Sequence, residues 1–175
     1  MANITSRDNS VKISAGASAP NGTGAVIAEV YDATPASAYT TSLPRLVNFS
    51  VIKQINAGDT LTLGFTIDGT ASKTVLIRVI GPALGQFGYT SSSTLNDPQL
   101  TLYNSRSVVV SSNNDWAGNA QVAAAITATG AFPVANTASK DAMLVATLAP
   151  DGYTAQASGV GGTGGFAIVE VYEVP

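Results

Sequence analysis

The hard oxygen ligands that stand close together in this chain are Asp97 and the run Asn113-Asn114-Asp115. Carboxylate and amide oxygens of this kind hold calcium when they converge, here across the stretch from Asp97 to Asp115. Their spacing is not that of an EF-hand loop. Asn and Asp also stand wherever a turn needs a left-handed residue or a side chain that bonds its own backbone. The turn reading is the one favoured, and no metal is expected. Cysteine and histidine are absent from the sequence. That removes thiol nucleophiles, imidazole bases, disulfides and nitrogen or sulfur metal ligands together. Gly-x-Ser-x-Gly is missing, and Ser139-Lys140-Asp141 reads as a turn with solvated charges. We therefore expect no catalytic residues, no cofactor and no enzymatic activity.

Arg78 lies inside the most apolar run, Lys73 to Ile80. Arginine is almost never fully buried without a partner, so an ion pair between Arg78 and Glu170 is expected, a device that sets register more than it adds stability. Among the few aromatics, Tyr39, Phe87, Tyr89 and Trp116 fall in or beside loops. They can form a glycan-binding platform, although a core plug is the simpler role for Trp116.

The elements that must position these residues are short. Gly, Pro, Ser, Thr and Asn punctuate β-branched or alternating runs, the pattern of an all-β, antiparallel sandwich. Strands are expected at 46–52, 60–67, 73–80, 99–103, 108–112 and 142–148, with a closing hairpin at 153–159 and 165–173. The Ala-rich stretch 119–129, stopped by Gly130 and Pro133, is the one short helix.

The chain also repeats itself. Gly22-Thr23-Gly24-Ala25-Val26-Ile27-Ala28-Glu29-Val30-Tyr31 matches Gly162-Thr163-Gly164 and the strand that ends Ile168-Val169-Glu170-Val171-Tyr172. In each copy an alternating run precedes it: Val11 to Ala15 in the first, Tyr153 to Ser158 in the second. Three parts follow: residues 1–33 as an extra N-terminal hairpin duplicating the C-terminal hairpin, 34–43 as a Pro/Ser/Thr linker, and 44–175 as the sandwich.

From Asp97 on, the motifs have a known order. Asp97-Pro98-Gln99-Leu100-Thr101-Leu102-Tyr103 is followed by Asn113-Asn114-Asp115, then Pro150-Asp151-Gly152-Tyr153, then Gly161-Gly162 ahead of the last strand. This resembles the bacterial pre-peptidase C-terminal domain. The stretch from Lys73 to Pro82 and the closing Val169-Glu170-Val171-Tyr172 resemble a related group, the tandem repeat modules of large bacterial surface proteins. The resemblance covers about residues 44–175 and implies a secreted, jelly-roll-like sandwich. It makes residues 1–33 look like the tail of a preceding module.

Charged residues are only 11% of the chain and the net charge is −3, against a usual charged share of ~25%. No basic stripe is present to neutralise phosphates, so nucleic acid is not an expected partner. No apolar run is long enough to span a bilayer. A surface this poor in charge fits one covered by other subunits, and equally one solvated by Ser, Thr, Asn and Gln. The expected function is a self-assembling structural protein, extracellular or at the cell surface. Copies join head to tail through Val11, Ile13, Val26, Ile27, Val30 and Tyr31. The alternative is a monomeric secreted module that binds a glycan or anchors a larger protein.

Overall fold

The computed structural model describes residues 9–14, 24–40 and 45–175. They fall into two units, Met1–Leu46 and Val47–Pro175. The second unit holds eight strands and one α-helix: β1 Asn48–Ile55, β2 Leu61–Ile67, β3 Lys73–Ile80, β4 Pro98–Asn104, β5 Val109–Asn113, α1 Ala120–Thr129, β6 Ala142–Leu148, β7 Asp151–Gly159 and β8 Gly165–Glu173. The strands form two four-stranded sheets, β1-β8-β3-β6 and β2-β7-β4-β5. All the ladders are antiparallel. This is the two-sheet connectivity of a jelly roll.

Alternation decides which side chains face inward. In β2, Leu61 and Leu63 are buried while Thr62 and Gly64 are exposed. The inner faces of the two sheets meet through Leu63, Val75, Ile77, Val79, Leu100, Leu102, Leu144 and Val169, with Ala155, Ala157 and Ala167 admitting close approach. The sheet containing β3 and β8 is apolar on its other face too. There Leu76, Ile80 and Met143 pack under Val122, Ala125 and Ile126 of α1, with Leu84 and Trp116. This third layer explains why β3 is buried at six consecutive positions, from Val75 to Ile80, a pattern expected of a strand covered on both faces. Helix α1 begins where Asn119 accepts from the N–H groups of Gln121 and Val122 at 2.9 and 3.1 Å. It ends at Gly130, which is left-handed with φ 69°.

The segment between β3 and β4 crosses the end of the sandwich through slots that only glycine leaves open. Leu95 N donates to Phe166 O at 2.9 Å, and Phe166 N donates to Ser93 O at 2.8 Å. A Cβ on Gly81 would lie 1.9 Å from Leu95 O, and one on Gly165 would lie 2.3 Å from Leu95 N.

The expected closing hairpin is corrected. β7 and β8 do not pair; each stands in the middle of a different sheet. The loop 160–164 carries the chain from one sheet to the other, with Gly161 and Gly162 at φ 65° and 74°. The two strands are therefore an arch, stacked face to face. The expected N-terminal hairpin changes with it. Residues 9–14 and 24–33 are assigned to no strand, while residues 1–8 and 15–23 lie outside the described residues. The sequence repeated there is that of two strands which, in their C-terminal copy, bond to other strands and not to each other. An isolated two-stranded ribbon is also marginal in water. Within the linker, Ala36–Ala38 form a single 3-10 turn; residues 41–44 lie outside the described residues.

Candidate functional site

In the first unit, the residues expected to join copies are solvent-facing. Val11 is 83% exposed, Ile27 85%, Tyr31 77% and Val26 66%, and Ile13 and Val30 are also exposed. Such a run of large apolar side chains is what an uncovered interaction segment presents. Tyr31 Oη donates to Glu29 Oε1 at 3.1 Å, and this carboxylate raises the phenol above its ordinary value. The Thr34 hydroxyl, and after it the Thr34 N–H that donates to Asp32 Oδ1 at 2.9 Å, lower the Asp32 carboxyl.

The structure brings Arg78 and Glu170 together as directly opposed residues of β3 and β8. Arg78 Nε donates to Glu170 Oε2 at 2.9 Å, and Arg78 Nη2 contacts the same oxygen. Arg78 Nη1 donates to Phe132 O at 2.7 Å, and Tyr172 Oη donates to Glu170 Oε1 at 2.9 Å. The guanidinium lies 4.2 Å from the centre of the Phe132 ring. Burial, then the Glu170 charge, pushes the Tyr172 phenol up to about 12. Arg78 is wholly buried. The Arg78 and Glu170 charges are closed off from solvent, with Phe132 and Tyr172 half-buried over them, and the cluster bolts the sheet to the chain that follows α1. Only the Arg–Glu pair was readable in the sequence, because Phe132 and Tyr172 carry no spacing signal toward Arg78.

Of the four oxygen-bearing residues, Asn113 and Asp115 are engaged within the chain. Asn113 Oδ1 accepts from Met143 N at 2.8 Å, and Asn113 Nδ2 donates to Asp115 O at 3.0 Å. Lys140 Nζ donates to Asp115 Oδ2 at 2.9 Å, which raises the lysine above its usual value. Asn114 is exposed. Asp97 Oδ1 and Asp115 Oδ1 are buried without a hydrogen-bond partner. Among the described residues, no group of three or more His, Cys, Asp or Glu gathers in the manner of a metal site.

The reading of Ser139-Lys140-Asp141 as a solvated turn is corrected at its last residue. Asp141 is fully buried. Its Oδ1 accepts from Gly81 N at 2.8 Å and Ala83 N at 3.3 Å, and Ser139 Oγ donates to Oδ2. It caps the start of the 3-10 turn Pro82–Phe87. Burial outweighs these bonds and raises its carboxyl above the ordinary 3.8. A raised native value means the folded state holds this proton more tightly than the unfolded chain does. The stability from this group is fully present below pH 3.8 and is lost as pH rises through the native value. Asp141→Asn, whose amide oxygen keeps both backbone bonds, will therefore gain on the parent as pH rises from 3 to 7. Urea denaturation at the two pH values checks this; a change in the opposite direction shows that the ionised form is the favoured one.

The aromatics expected beside loops separate. Trp116 is buried in the outer core, and Tyr89 meets Phe166 at a tilt of 59°, with ring centres 5.5 Å apart. Phe87 meets Phe132 edge-on at 4.9 Å. Tyr39 belongs to the first unit and is exposed.

These features define an antiparallel β-sandwich module with an apolar N-terminal extension. No family model matches the chain, and no curated protein matches it. Among solved structures, it is similar to the pre-peptidase C-terminal domain of a collagenase from Bacillus anthracis. The TM-score is 0.43 at 12% identity, over 71% of this chain and 89% of that one. This is the family that the sequence motifs resemble.

Proposed function

We propose that this chain is an extracellular structural subunit, joined head to tail to copies of itself through the N-terminal extension. The observation that carries this reading is the pairing of repeat and exposure. Residues 26–31 repeat the sequence of β8, a strand flanked on both sides, yet Ile27 and Tyr31 are 85% and 77% exposed. Burying Val11, Ile13, Val26, Ile27, Val30 and Tyr31 contributes about 9–18 kcal/mol gross at ~1.5–3 kcal/mol each. Association costs about 4–15 kcal/mol before any surplus appears. The extension gives and the sandwich receives, so the contact is heterologous, and it propagates as a filament unless it closes into a ring. The low charge content supports a surface shared with neighbours.

A glycan-binding module gains little from the aromatics, because Trp116 is buried and Phe87 lies edge-on to Phe132. The test is deletion of residues 1–40, followed by light scattering and negative-stain microscopy. The parent is expected to form oligomers or filaments, and the truncated protein to remain a folded monomer. Assemblies unchanged by the deletion overturn the reading.

A further inference from the structure

We infer that the acceptor for this extension is the outward edge of β1, where residues 26–31 of a second copy add as a fifth, antiparallel strand. This rests on the head-to-tail reading above. Each sheet has two edge strands, so there are four candidates: β1, β6, β2 and β5. Three observations select β1.

β1 already bonds the repeated sequence on its inner side. Its register with β8 runs from Asn48 opposite Tyr172 to Ile55 opposite Gly165. A strand whose one edge fits Ala167 to Tyr172 offers its other edge to a segment of nearly the same composition.

The free main-chain groups of β1 are in place. Glu173 N donates to Val47 O at 2.8 Å, so odd-numbered residues bond inward and even-numbered ones face out. The N–H and C=O of Asn48, Ser50, Ile52 and Gln54 therefore point away from β8. Among the described residues no strand lies beyond them. Ile52 is 46% exposed on this edge. An unpaired, partly apolar edge is the standard receptor for an added strand.

Charge separates β1 from its rivals. Residues 26–32 carry Glu29 and Asp32 and no cation, whereas β1 carries Lys53 and no carboxylate. β2, β5 and β6 have no charged residue. The arch geometry agrees. β1 and β2 are consecutive edge strands of facing sheets and approach each other. One arch can therefore lay its second half on β1 and its first half, residues 11–14, along β2, as β8 and β7 do on the inner side.

The test uses the full chain in two complementary variants. Ser50→Pro removes an outward N–H that the β1–β8 ladder does not use, and Ile27→Pro breaks the donor strand. Each alone is expected to weaken self-association about tenfold or more. An equimolar mixture is expected to give a one-to-one dimer, because each variant retains the half that the other lacks. Lys53→Glu, which leaves the ladder untouched, should weaken assembly at low salt and lose that effect at high salt. Polymers of Ser50→Pro and Lys53→Glu like those of the parent, with assembly still abolished by deletion of 1–40, place the acceptor on another edge and overturn this inference alone. A parent that is monomeric, with its extension bonded to its own β1, overturns the head-to-tail reading itself.

Discussion

Arg78→Met will destabilise the sandwich by about 3–5 kcal/mol, because it leaves Glu170 buried without its counter-charge. Glu170 keeps only the Tyr172 hydroxyl, at 2.9 Å, and the Phe132 carbonyl loses its donor. The loss will appear as a lower denaturation midpoint at unchanged slope. The double variant Arg78→Met with Glu170→Met will recover most of it, since two apolar side chains replace an ion pair that was costly to desolvate. A single variant that unfolds at the parent's midpoint would show that water reaches the remaining carboxylate.

Gly165→Ala will cost about 3 kcal/mol or more, at the top of the overpacking range. Its Cβ meets backbone atoms, Leu95 N and Thr94 C, both at 2.3 Å. Main chain cannot rotate aside as a side chain can, so relief requires parting Leu95 N from Phe166 O, a bond of 2.9 Å. Gly85→Ala is the matched control. Nothing lies within 4 Å of its Cβ, so thermal melting should show no loss there, with a small gain from a stiffer unfolded chain. Equal melting temperatures for the two variants would refute the slot.

Much of this was legible from local pattern. β6 runs over 142–148 as its apolar residues suggest, and α1 stops at Gly130 as expected, while Asn119, expected as its first residue, is its cap. The strand expected over 73–80 is β3 itself, and its cover on both faces is what the structure adds. Pairing was harder to read. A five-residue Gly-rich loop between two strands looks the same whether it turns within one sheet or crosses to another, and the hairpin was the wrong choice for 160–164. The difference lies in what the glycines approach: Gly164 sits against the backbone of Ile55 and Ala57, residues far away in sequence. Asp141 was misread for the same reason. Its ligand, Gly81 N, is 60 positions distant, and no local signal reports that a turn carboxylate will cap an element formed so much earlier.

The placement of the last two strands sets a timetable for the whole molecule. β1 has β8 as its strand partner, and β2 has β7. Until residues 151–173 emerge from the ribosome, neither opening strand has a ladder to join. At ~5–20 residues per second that wait lasts roughly 5–20 s. Pairings this distant in sequence also form slowly once permitted. The opening strands therefore stay unpaired until residues 151–173 have been made, whereas β4 and β5 can already join.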